Sequence, residues 1–351
     1  MSTVHVIVPD SIDDPARPSG GNVYDRRICD GLANRWSVHE HAVPGDWPRP
    51  DAAARNALTT ELAGLPDGAT VLIDGLIASA TLDLPAFARR LRLVVLVHMP
   101  LAQGTDDLPE TRAAEEAVLS TAAAIVTTST WTKNMLVAQY RLEPDRIHVV
   151  EPGADAAELA PGTAGGGRLL CVASVTPAKG LDVLVAALGE VTQQAWDCVC
   201  AGATDRDPNF VDRLRRQARE RGFGDRIRFV GPRTGAALEA TYAAADLLVV
   251  CSRAETYGMV VTEALARGIP VIATAVGGVP EALGFGADLD RPGIVVPPDD
   301  PLALAAALRR WLSDAELRRR LRRSARQRRE NLSDWAATAG RLSEVLHAAA
   351  A

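Results

Sequence analysis

The sequence predicts a two-domain α/β protein in which each domain carries a parallel sheet covered by helices. Short apolar runs of strand length alternate with longer runs of helical period along most of the 351 residues. This alternation is typical of parallel sheets with helices on both faces. The chain is longer than the roughly 100–200 residues of one domain, and the strand–helix series occurs twice. Two Rossmann-like domains are therefore the simplest architecture.

The strands are predicted from apolar runs and the helices from amphipathic ones. The first half carries strands at Val4–Pro9, Val71–Asp74, Leu93–His98, Ala124–Thr128 and Ile147–Glu151. The second half carries strands at Arg168–Ser174, Trp196–Ala201, Ile227–Val230, Leu247–Cys251, Val271–Ala275 and Ile294–Pro297. The helices include Tyr24–Asn34, Glu110–Ser120, Leu181–Val191, Val211–Arg221, Gly258–Arg267 and Pro301–Leu312.

The boundary between the domains is predicted at the segment Ala154–Gly167, which is rich in alanine and glycine and lacks apolar periodicity. We place the first domain at residues 1–160 and the second at 161–332. The arginine-rich stretch Leu317–Glu330 is predicted as a solvated helix with Leu317 and Leu321 packed inward; a helix that binds a membrane surface or a partner is the alternative. The last helix, from about residue 333 to 351, is expected to pack back onto the first domain.

Composition excludes several classes of protein. The net charge is −6, with 13 Lys+Arg against 22 Asp+Glu before residue 161, so the strong positive field of a nucleic-acid binder is absent. Five cysteines without a CxxC pair favour reduced thiols and a cytoplasmic location. The chain opens into a strand without a basic leader, and its longest apolar run, Leu93–Leu101, is about half of the ~20 residues of a membrane span. We therefore expect a soluble protein without membrane association.

The segment from Glu255 to Glu263, ETYGMVVTE, follows a predicted buried strand and opens a predicted helix. Amides at Gly258, Met259 and Val260 then lack carbonyl partners within the helix, which makes this N-terminus suitable for a phosphate. Two carboxylates beside such a site suit the hydroxyls on either side of a diphosphate, such as those of a sugar and a ribose. The alternative is that Glu255 caps the helix and Glu263 is solvated.

The segment Ser174–Gly180, SVTPAKG, lies after a predicted strand and ahead of an amphipathic helix. The first strand–helix loop of a Rossmann-like domain lies at the carboxyl end of the sheet, where ligands bind. Lys179 is a compact cation that suits a diphosphate leaving group, and it is one of only two lysines among 38 cationic residues. The alternative is a surface lysine in a turn.

Two weaker candidates lie in the first half. Gly20 and Gly21 end the loop Asp10–Gly21, and paired glycines allow a tight loop whose amides face a ligand. A plain turn is the alternative. His98 ends a predicted strand, where it could bond a sugar hydroxyl, or it could be a satisfied core residue.

Taken in order, these motifs resemble the family 4 retaining glycosyltransferases of the GT-B fold, which are also described as glycosyl transferases group 1. The resemblance spans most of the chain and is densest in the second half. The matching segments are Gly20-Gly21, Glu151–Asp155, the Pro-x-Lys179-Gly180 loop, Arg226–Gly231, Glu255–Glu263, Ala264–Val271 and Val276–Glu281.

The resemblance implies an α/β GT-B fold with a cleft between two Rossmann-like domains, and a nucleotide-diphosphate sugar as donor. It implies catalytic roles for Glu255 on the transferred sugar, Lys179 on the diphosphate and His98 near an outer sugar hydroxyl. Glu263 would bind the ribose and Val230-Gly231 the base. The motifs and the resemblance together predict these donor-binding residues: Gly20, Gly21, Ser174, Lys179, Val230, Gly231, Tyr257, Gly258, Met259, Val260 and Glu263.

The sequence departs from the family pattern at one position. The family usually has an arginine five or six residues before the lysine, where this chain has Ser174 and Ala173. Either Arg253 or Arg233 supplies the second cation, or the Ser174 hydroxyl and backbone amides suffice.

No cofactor or metal is expected. The two DxD patterns, at residues 205–207 and 288–290, are short enough to arise by chance. The acidic loops of the first domain, among them Ala102–Glu110, favour a neutral or cationic small-molecule acceptor over a lipid. The partners expected are this donor and acceptor, with no nucleic acid, in a monomer or homodimer. A GT-B-fold sugar-nucleotide epimerase and a non-catalytic sugar-nucleotide sensor remain as alternatives, whereas a phosphorylase would need a cofactor site or a much longer chain.

Overall fold

The computed structural model describes residues 2–16, 18–101 and 109–350. The chain forms two compact units: unit 1 comprises residues up to 14, 19–153 and from 333 onward, and unit 2 comprises 154–332 with 15–18. Residues 154–160, which sequence analysis assigned to the first domain, belong to unit 2. The Ala160 amide donates to the Arg267 carbonyl of that unit at 2.9 Å. Residues 102–108 of the predicted acidic acceptor loop lie outside the described residues.

Unit 1 is built on a parallel sheet with strand order β2-β1-β3-β4-β5-β6. Its strands are β1 (Thr3–Pro9), β2 (Ser37–Val43), β3 (Thr70–Asp74), β4 (Arg92–Val97), β5 (Ala124–Thr127) and β6 (Ile147–Val149). Its helices up to residue 153 are α1 (Gly20–Leu32), α2 (Ala52–Gly64), α3 (Gly75–Ser79), α4 (Leu84–Phe87), α5 (Pro109–Thr121) and α6 (Thr130–Tyr140). The five predicted strands are confirmed.

Two features of unit 1 differ from the sequence predictions. Strand β2 was missed because it is the edge strand, largely exposed, and its sequence SVHEHAV has no apolar run. The prediction that Gly20 and Gly21 lie in a loop is wrong, since both belong to the first turn of α1. Ser19 starts the helix there because its hydroxyl accepts a hydrogen bond from the Asn22 amide at 3.1 Å.

Unit 2 is built on a second parallel sheet, with strand order β12-β11-β10-β7-β8-β9. Its strands are β7 (Arg168–Val172), β8 (Asp197–Ala201), β9 (Ile227–Phe229), β10 (Leu247–Val250), β11 (Val271–Thr274) and β12 (Gly293–Val296). Its helices are α7 (Leu181–Gly189), α8 (Pro208–Glu220), α9 (Gly235–Ala243), α10 (Met259–Ala266), α11 (Val279–Leu283), α12 (Pro301–Ser313) and α13 (Ala315–Arg329). All six predicted strands are confirmed.

Each sheet is covered on both faces, as the apolar strands predict. In unit 1, one core layer packs under α2, α5 and α6 and the other under α1 and the last helix, α14 (Trp335–Ala350). In unit 2, α7, α8 and α12 cover one face, while α9, α10 and α11 cover the other. All five cysteines are buried and free of disulfides. Within the described residues, no helix has both the length and the apolar character needed to span a bilayer.

The two C-terminal helices belong to different units. Helix α13 packs in unit 2 with Leu317 and Leu321 buried, as predicted. Four of its eight arginines are exposed, whereas Arg318 is buried and donates to the Trp311 carbonyl at 2.8 Å. Helix α14 packs against α1 of unit 1, where the Trp36 indole donates to the Ser343 hydroxyl at 2.9 Å. The turn before α14 touches Gly153, because a Cβ at that glycine would lie 2.5 Å from the Trp335 backbone nitrogen.

Substitution of Gly153 tests this close contact. Gly153→Ala should destabilise the protein by about 1–3 kcal/mol, because the added methyl group meets backbone atoms that are held by α14. The free energy of unfolding in urea is the measurement. Gly64→Ala is the matched control, since that glycine in α2 has no atom within 4 Å of its added Cβ and should cost nothing. Equal stabilities of the two variants would contradict the contact.

Candidate functional site

The strand order of unit 2 reverses between β7 and β10, the pair at the middle of its sheet. Chain connections leave these two strands in opposite directions, so that the loops at their carboxyl ends flank a crevice. In open parallel sheets, ligands bind at such a reversal. The two strongest sequence candidates, Lys179 and Glu255, lie on these two loops.

The structure brings Lys179 and Glu255 into direct contact. The Lys179 ammonium donates to Glu255 Oε1 at 2.5 Å, and the Ser252 hydroxyl donates to the same oxygen at 2.8 Å. The Lys179 side chain is 29% exposed and that of Glu255 is 16% exposed. Both groups therefore keep an accessible surface while their positions are fixed by each other.

Backbone geometry holds the Lys179 turn against the end of β10. Residues Pro177–Lys179 form a single 3-10 turn that ends at Gly180, whose φ is +64°. A Cβ at Gly180 would lie 1.9 Å from the Cys251 carbonyl oxygen, so only glycine allows this approach. The Arg253 amide also donates to the Ala178 carbonyl at 2.9 Å.

Arg253, one of the two arginines named as a replacement cation, is bound to two carboxylates in the structure. The Arg253 guanidinium donates to both carboxylate oxygens of Asp182, at 2.9 and 2.8 Å, and to Asp299 at 2.7 Å. Burial raises the pKa of Asp182, but Arg253 outweighs this and leaves it below the ordinary value. Arg233 is exposed. Ser174 lies half-buried just after β7.

Helix α10 begins beside Glu255. Gly258 is its N-cap in the left-handed conformation, with φ +89°, and the first helical residues are Met259 and Val260. Their amides lie in the first turn, where a helix offers donors and a partial positive charge to an anion. The Tyr257 ring is buried in the core layer under α9–α11.

The second carboxylate of the motif faces a buried tyrosine. Glu263 Oε2 accepts a hydrogen bond from the Tyr242 hydroxyl at 2.6 Å. Burial raises the pKa of Glu263 above its ordinary value, although the Tyr242 hydrogen bond and the Arg267 charge oppose the rise. Glu263 is therefore a positioned acceptor rather than a solvated side chain.

The Val230–Gly231 backbone continues the pairing beyond β9. The Val230 amide donates to the Cys200 carbonyl at 3.0 Å, and the Gly202 amide donates to the Gly231 carbonyl at 2.9 Å. The Val230 carbonyl and the Gly231 amide are then the groups with which this segment could meet a base.

Unit 1 carries a buried cluster at the carboxyl edge of its own sheet. His98 Nε2 lies 2.7 Å from Asp25 Oδ1 and 3.7 Å from Asp74 Oδ2. Asp74 ends β3, His98 follows β4, and Asp25 lies on α1. The Tyr24 ring packs edge-on against the imidazole, with 5.1 Å between the ring centroids. A Cβ at Gly21 would lie 3.2 Å from His98 Cδ2, so this candidate glycine also contacts the imidazole.

The proximity of these groups raises the pKa of both His98 and Asp74. Burial works to lower the pKa of His98, but the charge and hydrogen bond of Asp25 and the charge of Asp74 raise it above its ordinary value. Burial and the charge of Asp25 raise the pKa of Asp74 to about 7. The second Asp25 oxygen, Oδ2, is buried without a hydrogen-bond partner among the described residues. Both shifts favour the protonated forms of His98 and Asp74.

The sequence motifs do not include several polar groups that contact the predicted residues directly, among them Asp25, Asp74, Ser252 and Tyr242. Asp74 has a signal, because it is the polar residue that ends an apolar strand. Asp25 has one too, since it follows Gly21 by four residues and so shares its face of α1. Ser252 is separated from Glu255 by two residues, and only the bend of this loop brings them together.

The described residues contain one group of three that could hold a metal ion. Oxygen or nitrogen atoms of Asp25, Asp74 and His98 lie within 4.8 Å of one another. The hydrogen bond between Asp25 and His98 accounts for this arrangement with a proton alone. Neither DxD pattern forms such a group: Asp207 caps α8, and Asp288 accepts a hydrogen bond from Gln327.

Two family models match the chain. One, described as Glycosyl transferases group 1, matches residues 164–328, and the other, described as Glycosyltransferase Family 4, matches residues 3–158. Among solved structures, a sucrose-phosphate synthase from Thermosynechococcus elongatus is similar with a TM-score of 0.79 and 22% identity, covering 99% of this chain and 98% of that one. The Anabaena protein HepE in complex with UDP and glucose is similar with a TM-score of 0.78 and 17% identity, covering 99% and 100%.

Curated relatives are similar over a shorter stretch. The D-inositol 3-phosphate glycosyltransferase of Salinispora tropica is 33% identical over 278 residues, which are 72% of this chain and 57% of that protein. The one from Corynebacterium glutamicum is 35% identical over 268 residues, which are 70% of this chain and 62% of that protein. The chain thus spans about three fifths of the length of the curated relatives that it matches.

The raised pKa of Asp74 predicts a pH dependence of stability. A carboxyl group whose pKa rises from 3.8 to about 7 on folding contributes stability below about pH 4, and this is lost as the pH approaches 7. His98, whose pKa is also raised, contributes stability that is lost at still higher pH. The free energy of unfolding should therefore fall between about pH 5 and pH 8.

Asp74→Asn should reduce that fall. Asp74 Oδ1 accepts a hydrogen bond from the Leu76 amide at 2.7 Å. The side-chain oxygen of asparagine can accept the same bond, but asparagine cannot ionise. Urea unfolding at the two pH values is the measurement, with Asp145→Asn, a change of an exposed carboxylate, as the control. A wild-type pH dependence in Asp74→Asn would contradict the assignment.

Proposed function

Since the chain belongs to the family 4 glycosyltransferases of the GT-B fold, we propose that it transfers a sugar from a nucleotide-diphosphate sugar to a small-molecule acceptor. The donor proposed is a UDP- or GDP-sugar. The observation that carries the proposal is the contact of Lys179 with Glu255 at 2.5 Å, at the strand-order reversal of unit 2 and beside the first turn of α10.

The two sides of this contact suit the two parts of the donor. An ammonium has three N–H donors, so Lys179 can keep Glu255 and still donate to a phosphate oxygen. The amides of Met259 and Val260 would add donors to the same diphosphate. Charge that develops on the departing nucleotide diphosphate is thereby stabilised by groups that are already in position.

The carboxylates would bind the hydroxyl groups. Glu255, whose side chain is partly exposed, is proposed to accept from hydroxyls of the transferred sugar. Glu263 is proposed to bind the ribose, since the Tyr242 hydroxyl fixes one of its oxygens and leaves the other available. His98, held by Asp25, is proposed to donate to an outer hydroxyl of the sugar.

The stereochemistry and metal requirement are proposed from the resemblance to retaining family 4 enzymes. The acceptor hydroxyl would attack on the face that the diphosphate leaves, and its proton would pass to a departing phosphate oxygen. The anomeric carbon then exchanges one C–O bond for another and keeps its configuration. Lys179 and the α10 amides supply the positive charge, so that the proposed reaction needs no divalent metal.

The acceptor is proposed to be a neutral or cationic small molecule rather than a lipid. The first 160 residues carry 13 Lys+Arg against 22 Asp+Glu, and this excess of negative charge would repel an anionic acceptor. The two curated relatives bear names that specify an inositol phosphate. An inositol phosphate is therefore the informative comparison in an acceptor screen, and we expect neutral polyols to be used at least as well.

Calorimetric titration with UDP, GDP and ADP, with and without a chelator, tests the donor class. We expect saturable binding of UDP or GDP that the chelator does not change. Release of that nucleotide from its sugar donor on adding an acceptor would establish transfer. Binding without release under every acceptor would favour a sugar-nucleotide sensor, and binding that the chelator abolishes would contradict metal independence.

Lys179→Ala should weaken binding of the nucleotide diphosphate by about 10- to 100-fold, the loss expected for one hydrogen bond to a charged group. Lys133→Ala, which changes the other lysine, is the matched control and should bind normally. The double variant Lys179→Ala/Glu255→Gln separates two causes. If Lys179 binds the diphosphate, the double variant stays weak; full recovery would show that Lys179 only neutralises Glu255.

Glu255→Gln should abolish transfer while leaving affinity for the nucleotide diphosphate within a few-fold of wild type, because Glu255 is assigned to the sugar. Turnover and nucleotide binding are both measured. Glu220→Gln, at an exposed position on α8, is the control. Wild-type turnover in Glu255→Gln would remove Glu255 from the reaction.

A further inference from the structure

The buried cluster of unit 1 contains one carboxyl group more than the function proposed above uses. That function involves His98 and Asp25 but gives Asp74 no role. The side chains of Asp25 and Asp74 are only 3% and 4% exposed. Asp74 Oδ1 accepts from the Leu76 amide at 2.7 Å, and its Oδ2 lies 3.7 Å from His98 Nε2. Two carboxyl groups are thus enclosed beside one ring nitrogen, which carries a single N–H.

The hydrogen bonds of Asp25 are incomplete. Its Oδ1 lies 2.7 Å from His98 Nε2, while its Oδ2 is buried without a partner among the described residues. A buried carboxylate oxygen is unfavourable unless a donor faces it. An ionised Asp74 offers acceptors alone, but a protonated carboxyl group has one O–H to donate. A proton on Asp74 would therefore replace a repulsive contact by a hydrogen bond.

We propose that Asp74 is the neutral acid of this pair and donates its O–H to the Asp25 carboxylate, so that both residues position His98. The inference rests on the proposed function, in which His98 meets a sugar hydroxyl. Because His98 Nε2 donates to Asp25, Nδ1 is the nitrogen that would face that hydroxyl. Asp25 and Asp74 are positioning residues, since they act through the imidazole.

Packing alone does not orient this ring. A Cβ at Gly21 would lie 3.2 Å from His98 Cδ2, and the Tyr24 ring packs edge-on with 5.1 Å between the centroids. These contacts hold the outline of the imidazole. A flip of the ring keeps nearly the same outline but exchanges its nitrogen and carbon positions. The hydrogen bond to Asp25 therefore determines which nitrogen a ligand meets.

The charges around the pair agree with a proton on Asp74. Burial, the charge of Asp25 and a hydrogen bond with its carboxyl group raise the pKa of Asp74 to about 7, although the charge of His98 opposes the rise. Helix α1 also contributes the Tyr24 hydroxyl, which stays neutral because burial raises its pKa. Helix α14 contributes Arg341, whose charge acts on that tyrosine.

The proton on Asp74 is tested without substrate, in the presence of a chelator so that no metal ion competes for these groups. In protein labelled with ¹³C at the aspartate carboxyl groups, the Asp74 signal is identified by its loss in Asp74→Asn. We expect its titration midpoint near pH 7, against an ordinary value of 3.8, and a lower midpoint in Asp25→Asn, which lacks the charge of Asp25.

Asp30→Asn is the control for this titration. It changes an exposed carboxylate on the same helix, α1, and should leave the Asp74 midpoint unchanged. An Asp74 carboxyl group that ionises near its ordinary pKa, at about pH 4, would overturn the proposal.

The action through His98 is tested by a double-mutant cycle of sugar transfer at about pH 6. Asp25→Asn and His98→Gln should each lower kcat/KM by about 10- to 100-fold, the loss expected for one hydrogen bond to a charged group. The double variant should be no slower than His98→Gln, because Asp25 acts through that ring. Losses that multiply would overturn the positioning role.

Two changes at Asp74 separate its bond to Asp25 from its capping of α3. Asparagine has an oxygen for the Leu76 amide and an N–H for Asp25. Serine, a favoured N-cap residue, can accept from Leu76 but is too short to reach Asp25. We expect kcat/KM of Asp74→Asn to exceed that of Asp74→Ser about 10-fold. Equal values would overturn the role of Asp74.

Failure of this inference is distinguishable from failure of the proposed function. A wild-type protein that releases no nucleotide with any acceptor would refute the proposed transfer. The carboxyl titration needs neither donor nor acceptor, so it would still decide whether Asp74 carries the proton of the pair.

Discussion

The reversal of strand order between β7 and β10 is the constraint on which the candidate site depends. Everywhere else in this sheet, neighbouring strands are joined by crossovers that place a helix beside their loops. Only at the reversal do two loops face a common crevice, which is why Lys179 and Glu255, 76 residues apart in sequence, end 2.5 Å apart. Gly180 and Arg253 both stabilise this contact. Gly180 allows the backbone to approach closely, and the Arg253 amide donates a hydrogen bond to the Ala178 carbonyl of the turn.

The same topological principle gives unit 1 a site of different chemistry. Its strand order also reverses, between β1 and β3, and the polar cluster of Asp25, Asp74 and His98 lies at the carboxyl ends of β3 and β4 and on the helix that follows β1. In unit 2 the contact is between one cation and one carboxylate. In unit 1 two buried carboxylates lie beside an imidazole, and burial together with the charge of Asp25 raises the pKa of Asp74 to about 7. The topology of a parallel sheet thus determines where polar side chains come together, while the residue types at that place determine the chemistry.

The sequence predicts those parts of the fold that depend on apolar periodicity. The buried strands were found because burial on both faces demands continuous apolar runs, whereas β2 was missed because an exposed edge strand has no such demand. The start of α1 was misplaced because the capping hydroxyl of Ser19 outweighed two glycines that are poor helix formers. The candidate residues that lie in motifs could be named from the sequence. Asp25 and Ser252, which contact them, could not, since their role depends on which residues the fold places beside them.

The charge on the diphosphate would fall on fewer groups than the family pattern provides. Ser174 occupies the place of the usual arginine, and Arg253 already binds Asp182 and Asp299. If the Arg253 guanidinium moved to a ligand, Asp182 and Asp299 would lose their cation and the Lys179 turn would lose a hydrogen bond at Pro177. Using Arg253 as the second cation would therefore cost part of the binding energy that it supplied. Lys179 would therefore act with the first-turn amides of α10 alone. Unlike Arg253, the amides do not have to leave a carboxylate partner in order to bind the diphosphate. Because the helix fixes their dipoles, they can stabilise a departing diphosphate without reorganisation.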